Sequence, residues 1–185
     1  MSETHELGEK HKLLIEIINR LDIYINATNS KVAIILSYCI AYIAGLGFKL
    51  SSLSDTQIHN ASWYLLLSIY LLSVVFTLLA AHYAYRAMAP QLPSGRATYE
   101  LPSIIFFGDI AKHPGGRDGY VTSVLQLTEE DVVRDLAKQA YTLATIADSK
   151  FALIVKAYKC IVRFQIPLFA LFLVLLLTAI KPVIK

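Results

Sequence analysis

The sequence predicts an all-α membrane protein, with three transmembrane helices and a cytoplasmic helical region built from extensions of the spans. Apolar residues make up 56% of the 185 residues and charged residues only 17%, whereas a soluble domain is about one-quarter charged. The apolar residues gather in three stretches, each near the ~20 residues that a helix needs to cross a bilayer. A chain of this size could not bury three such helices in water.

The three spans are predicted at residues 32–50, 62–85 and 161–180. The first carries one charge, Lys49, at its end, the second carries no Asp, Glu, Lys or Arg, and the third carries Arg163 near its start. The chain is therefore divided into an N-terminal cytoplasmic helix (1–31), a transmembrane hairpin (32–88), a cytoplasmic region (89–160), and a third transmembrane helix with a short outer tail (161–185).

The distribution of lysine and arginine predicts the orientation of the spans. Fourteen of the 17 basic residues lie within residues 1–31 or 86–163, and the other three are Lys49, Lys181 and Lys185. Since basic residues concentrate on the cytoplasmic side of a membrane protein, we expect the N-terminus inside and the C-terminus outside. The polar, acidic beginning of the chain does not resemble a signal peptide.

Two helical patterns extend these spans into the cytoplasm. Residues 10–28 place apolar side chains at the i, i+3, i+4 spacing of one buried helical face, and no glycine or proline interrupts residues 9–44. This helix could stand upright or lie on the membrane surface, and its mixed polar face favours the upright form. A second helix should begin at Thr128, which is followed by three acidic residues, and kink near Pro167.

A weak internal repeat connects the two long helices. Residues 28–35 (TNSKVAII) and 147–154 (ADSKFALI) share a small residue, Asn or Asp, Ser, Lys, and then an apolar stretch. One interpretation is a lysine whose stem covers apolar surface while its charge stays in water. The other is a pair of polar groups that line a site or gate between the helices. For the second interpretation, the candidate coupling residues are Asn29, Lys31, Asp148 and Lys150.

The segment 90–127, which connects the second span to the second long helix, is the least regular part of the chain. It is rich in Ile, Phe, Tyr and Val, so we expect it to fold onto the cytoplasmic helices, with a short helix near 120–127. Its basic, aromatic and acidic groups suit a small anionic, aromatic ligand, although core packing and membrane orientation also explain them. The candidate ligand-binding residues are Arg96, Tyr99, Phe106, Phe107, Asp109, Lys112, Arg117 and Tyr120.

Motifs for catalysis are missing from the sequence. It contains no nucleophile elbow, P-loop, HExxH motif or dinucleotide fingerprint, and its five histidines lack metal-ligand spacing. We therefore expect no enzyme, no cofactor and no nucleic-acid partner. Two alternatives stay open: a scaffold membrane protein without a ligand, and a small membrane hydrolase that would use Asp109, Asp135 or Asp148 with His113.

Several short motifs, in this order, resemble the membrane effectors of bacterial Pycsar antiphage defence. They are NSK at 29–31, FFGDIA at 106–111, Tyr120, and DLAKQAYTLATIADSKFALI at 135–154. The resemblance covers most of the chain. It implies a protein of the bacterial inner membrane that senses a cyclic pyrimidine mononucleotide, cUMP or cCMP, through the region 89–160. The family leaves the choice between the two nucleotides open.

The resemblance also implies a response in the membrane. The nucleotide would dock between residues 106–111 and the long cytoplasmic helices, and would shift the population toward the arrangement that binds it better. Spans of mostly uncharged residues cannot enclose a water-filled pore within one subunit. We therefore expect a homo-oligomer in contact with membrane lipid, which would form or open and so impair membrane integrity.

Overall fold

The computed structural model describes residues 2–54, 61–89 and 103–180. These residues are largely helical and contain no β-strand, so the predicted all-α fold is confirmed. The elements are α1 (Ser2–Ser54), α2 (Ala61–Met88), α3 (Phe107–Ala111), α4 (Gly116–Leu125), α5 (Glu129–Cys160), a π-helical turn (Ile161–Gln165) and α6 (Ile166–Ile180).

Three helical stretches are long and apolar enough to cross a membrane, which confirms the predicted number of spans. They are His5–Ser52, Trp63–Met88 and Glu129–Thr178. The first and third stretches are much longer than the predicted spans that they overlap, because α1 and α5 continue as helices beyond the apolar residues. Large apolar side chains such as Ile34, Ile40 and Phe48 are exposed along α1, as the lipid-facing side of a span requires.

The described chain divides into two compact units. The first unit holds residues 2–27 and 103–148, and the second unit holds residues 28–54, 61–89 and 149–180. Both α1 and α5 pass from one unit into the other, and the predicted division at residues 31, 88 and 160 stays a prediction. The second unit contains most of each apolar stretch.

Two apolar clusters hold the second unit together. One consists of Val32, Ala84, Ala87 and Ala157, and the other of Leu66, Ile69, Phe172 and Leu176. The alanines of the first cluster allow helix backbones to approach closely, which is how transmembrane helices gain packing energy when lipid supplies no hydrophobic driving force. The second cluster fills the space between α2 and α6 with larger side chains.

Just before Pro167, where the sequence predicts a kink, the structure has a π-helical turn. This turn covers Ile161–Gln165 and ends where the Ile166 N–H donates to the Ile161 carbonyl. Proline has no N–H to continue the α-helical ladder, and the wider turn precedes it directly. Helices α5 and α6 are therefore joined by a π-helical segment and not by a loop.

The first unit begins its long helix where the sequence predicts. The Thr128 N–H donates to the Asp131 carboxylate at 3.2 Å, and the Asp131 N–H donates back to the Thr128 hydroxyl oxygen at 3.2 Å. This reciprocal pair is a capping box. The short helix predicted near 120–127 instead spans Gly116–Leu125, and Gly116 has a positive φ of 60° that a side chain would strain.

Candidate functional site

A cavity of about 260 Å³ lies in the first unit, between the segment that follows residue 102 and the first three turns of α5. Its volume is just below the ~300–1,000 Å³ of typical small-molecule pockets. The cavity is lined by Ile104, Ile105, Leu127, Asp131, Val132, Arg134, Asp135 and Lys138. Apolar side chains and charges of both signs therefore meet in one place.

Asp135 fixes the segment that forms one wall of the cavity. Its Oδ2 accepts hydrogen bonds from the Ser103 hydroxyl at 3.0 Å, the Ile104 N–H at 2.9 Å and the Ile105 N–H at 3.2 Å. The Ser103 Oγ in turn accepts from the N–H groups of Ile105 and Phe106 at 3.2 and 3.0 Å. The wall is thus held to α5 by its own backbone donors, because an aspartate on the helix accepts them.

Asp109 belongs to the same network. Its Oδ2 accepts the Ser103 N–H at 3.0 Å, so this carboxylate ties α3 to the beginning of the cavity wall. It does not line the cavity itself. Its predicted role as an acceptor for the sugar or base of a ligand stays a prediction.

Hydrogen bonds already occupy both carboxylates of the cavity. Asp135 accepts the three donors of the wall, and Asp131 accepts the hydroxyl and the N–H of Thr128. The hydrogen bond from the Thr128 hydroxyl, followed by that from its backbone N–H, lowers the pKa of the Asp131 carboxyl below its ordinary value. Asp131 is therefore ionised at neutral pH and suits the positive end of the α5 dipole.

The cationic side chain of Arg134 is held by exposed ion pairs. Arg134 pairs with Glu130 at 2.8 Å and with Asp131 at 3.6 Å, and its side chain is 60% exposed. Exposed ion pairs of this kind contribute only about 0–1 kcal/mol. An anion that enters the cavity could therefore recruit Arg134 at little cost, and Lys138 lies one helical turn further along the same face.

The aromatic residues predicted to bind a ligand lie beside the cavity wall. The rings of Phe106 and Phe107 are 4.9 Å apart, and Phe107 is 67% exposed. The Tyr120 hydroxyl donates to the Ile104 carbonyl at 2.9 Å. A Cβ at Gly108 would lie 2.7 Å from the Phe106 ring, which explains why glycine follows the two phenylalanines.

The predicted basic residues are not brought into the cavity. Lys112 and Arg117 are exposed and do not line it, whereas Arg96 and Tyr99 lie outside the described residues. The His113 ring contacts Tyr120 and Ser123. The hydrogen bonds that the Asp109 and Asp135 carboxylates accept come from residues 103–105 and not from His113. The arrangement offers no support for the hydrolase alternative.

Three of the four candidate coupling residues, Asn29, Lys31 and Lys150, form contacts within the second unit. Lys150 is only 5% exposed, and its Nζ donates to the Ala87 carbonyl at 2.7 Å and to Asn29 Oδ1 at 3.4 Å. Lys31 Nζ lies 5.6 Å from the Phe151 ring centroid. The interpretation of Lys150 as a surface lysine with its charge in water is therefore wrong. Helix α2 ends at this point, and the carbonyl groups of its last turn need a hydrogen-bond donor.

Asp148, the fourth predicted coupling residue, is exposed and belongs to the first unit. The repeat thus places one copy against the other at Asn29 with Lys150 and at Lys31 with Phe151. Whether these contacts couple a ligand to the membrane stays a prediction.

Sequence reasoning overlooked Arg134 and Lys138, and considered Asp135 only as a catalytic group. A signal for them exists, since Asp131, Arg134, Asp135 and Lys138 follow the i, i+3, i+4, i+7 spacing of one helical face. Such a run of mixed charges is typical of a solvated helix surface. Only the neighbouring segment at Ile104 turns this surface into a cavity.

Comparison with known proteins finds similar sequences over most of the chain. A family model for the Pycsar effector protein domain, PycTM, matches residues 13–179. The chain is 25% identical over 169 residues to the Pycsar effector protein EcPycTM of Escherichia coli, and the alignment covers 86% of this chain and 91% of that protein. No solved structure matches the chain.

Proposed function

This chain belongs to the Pycsar effector family, and on that premise we propose that it is an antiphage-defence effector that senses a cyclic pyrimidine mononucleotide. The ligand is cUMP or cCMP, bound on the cytoplasmic side of the bacterial inner membrane. The protein responds by oligomerising or opening in the membrane, which impairs membrane integrity. The observation that carries this proposal is the cavity beside α5, where Arg134 and Lys138 accompany apolar walls.

The charges of the cavity support binding of a single phosphate. A cyclic mononucleotide carries one negative charge, and the guanidinium of Arg134 can bond two phosphate oxygens at once. Lys138 adds a second positive charge on the same face. Arg134 and Lys138 equal the carboxylates Asp131 and Asp135 of the cavity in number, so the formal charge of its lining does not oppose an anion.

The shape of the cavity supports a small base. Ile104, Ile105 and Val132 provide apolar surface for the faces of a ring. A volume of about 260 Å³ accommodates the single ring of a pyrimidine. Phe107, which is exposed beside the wall, is placed to cover a base that projects from the cavity.

The response would pass along α5. This helix carries the cavity residues in its first turns and Lys150 two-thirds of the way along. A ligand that binds one arrangement of the wall and α5 more tightly shifts the population toward it. The N-terminus and the basic regions lie in the cytoplasm, the C-terminus lies outside, and several copies assemble, since the mostly uncharged spans of one copy cannot enclose a water-filled pore.

Thermal unfolding of the purified protein in detergent, with and without cUMP, cCMP, cAMP and cGMP, tests this function. A ligand at one hundred times its Kd stabilises the folded state by about 2.7 kcal/mol, which raises the melting temperature by roughly 5–10 °C in a chain of this length. We expect this rise with one pyrimidine nucleotide. If none of the four nucleotides raises the melting temperature of folded protein, the sensor function is refuted and the scaffold alternative is favoured.

Arg134→Ala tests the site itself. Loss of a hydrogen bond to a charged group costs about 1.5–3 kcal/mol, so we expect affinity to fall by about tenfold to a hundredfold. Arg20→Ala is the matched control, because Arg20 pairs with Glu16 at 2.6 Å in an exposed i, i+4 pair like that of Arg134. Equal affinity in both variants and the unmodified protein would show that the ligand binds elsewhere.

A further inference from the structure

Gln165 is the most unusual polar side chain of the second unit. It is 0% exposed, and within the part of the chain that the structure describes neither its Oε1 nor its Nε2 forms a hydrogen bond with a protein group. Inside a bilayer no bulk water reaches such atoms, and leaving them without partners is costly. The amide therefore needs a partner that the protein itself does not supply.

Hydroxyl groups from two other helices lead to this amide, Tyr42 directly and Ser73 through its hydrogen bond with Tyr42. The Tyr42 hydroxyl of α1 forms a short hydrogen bond with the buried Ser73 hydroxyl of α2, and Thr77, also buried, donates to the Ser73 carbonyl at 2.8 Å. The Gln165 amide lies close to the Tyr42 hydroxyl, but the two groups do not reach hydrogen-bond geometry. Three helical segments thus contribute polar groups to one buried place.

Aromatic rings flank this polar place. Phe76 of α2 stacks on Phe164 of the π-helical turn at 4.5 Å, and Phe169 of α6 packs edge-on against Tyr42 at 5.7 Å. Gln165 is the last residue of the π-helical turn, a local geometry that is frequent at functional sites. Pro167 also removes the N–H that the Arg163 carbonyl would otherwise receive in an α-helix.

We propose that Gln165, Tyr42 and Ser73 form a hydration site that binds water inside the transmembrane bundle. A buried water needs two to four polar partners, and the amide supplies both a carbonyl acceptor and N–H donors while the hydroxyls supply either. No charged side chain contributes to these contacts, and the amide N–H groups would repel a cation. The mixture of neutral donors and acceptors therefore selects water over an ion.

The site lies well inside the apolar length of the bundle. Tyr42 is 13 residues beyond Asn29 along α1 and Gln165 is 15 residues beyond Lys150, which corresponds to about 20 Å at ~1.5 Å per residue. Water held at this depth gives the bundle a polar point from which hydration can spread when the helices separate. This inference depends on Gln165 and its neighbours alone, and not on the identity of the ligand.

Water-edited solid-state NMR of the full-length, uniformly ¹³C,¹⁵N-labelled protein in lipid bilayers tests the proposal. We expect magnetisation to pass from water to the Gln165 side-chain amide nearly as fast as to the exposed Gln126 amide, and several-fold faster than to the backbone amide of the buried Ala80. Transfer to Gln165 as slow as transfer to Ala80 would overturn the proposal.

Two serines on α2 supply a matched pair of variants. Ser73→Ala removes a hydroxyl from the site and should slow transfer to Gln165 several-fold. Ser68→Ala removes an exposed hydroxyl that donates to the Tyr64 carbonyl at 2.8 Å, and should leave transfer unchanged. Equal slowing in both variants would overturn the proposal, because it would reflect a general change of the bundle.

Gln165→Leu gives an independent readout by thermal unfolding. If water is hydrogen bonded to the Gln165 amide, the leucine variant loses these hydrogen bonds and its melting temperature is lower. If the site is dry, leucine removes two unsatisfied atoms and raises the melting temperature, which would overturn the proposal.

Discussion

Lys150→Met separates the hydrogen bonds of the buried ammonium from the volume of its stem. The Lys150 Nζ donates to the Ala87 carbonyl at 2.7 Å and to Asn29 Oδ1 at 3.4 Å, in a side chain only 5% exposed. Methionine fills similar space without a donor. The variant therefore leaves a buried carbonyl in the last turn of α2 without this partner, while the apolar packing around it is kept.

The magnitude follows from these contacts. A hydrogen bond from a charged donor contributes about 1.5–3 kcal/mol, and a cation at a helix C-terminus contributes about 0.3–1 kcal/mol more. The variant regains part of this because an ammonium no longer has to be kept out of water. We expect a net loss of about 2 kcal/mol in the free energy of unfolding, and a melting temperature lower by about 4–8 °C.

Thermal unfolding in lipid nanodiscs measures this loss, with Lys31→Met as the control. Lys31 is the equivalent lysine in the other copy of the repeat, but it is exposed and only its ring contact with Phe151, at 5.6 Å, would be lost. Such an exposed contact contributes about 0.5–1 kcal/mol. The reasoning is refuted if Lys150→Met melts at or above the unmodified protein, or if both variants lose the same amount.

Two further outcomes follow from the first unit. Gly108→Ala should lower the free energy of unfolding by about 1–3 kcal/mol, because its Cβ would lie 2.7 Å from the Phe106 ring; a melting temperature unchanged from wild type would contradict this. Thr128→Val should raise the pKa of Asp131 toward its ordinary value in an NMR titration, since the Thr128 hydroxyl holds it low. The stabilisation from Asp131 is present at neutral pH and lost as pH falls through its lowered pKa; an unmoved midpoint would contradict the assignment.

The features that sequence predicted well depend on local chemistry. Span number follows from apolar length, and the beginning of α5 follows from Thr128 and the acids after it. The repeat also drew attention to Asn29 and Lys150, which meet in the structure. In each case the decisive residues are close in sequence or repeat a recognisable pattern.

The features that the sequence did not predict depend on contacts between segments that are distant in the chain. The sequence alone predicts that the charged face of α5 around Arg134 is solvated. In the structure, Ser103 and Ile104 are hydrogen bonded to Asp135 and cover part of this face. Lys150 reads as a surface lysine until the end of α2 supplies its acceptor. Gln165 is one of three polar residues in the third span, and periodicity alone does not reveal that its buried amide forms no hydrogen bond with a protein group.

The π-helical turn sets the angular phase of α6. An α-helix turns by about 100° per residue, and a π turn accommodates one residue more than an α turn. Deleting a single residue from Ile161–Gln165 would therefore rotate every later side chain by roughly 100° about the axis. Phe172 and Leu176, now buried against α2, would turn toward lipid, so the identity of the packed face of α6 depends on one inserted residue.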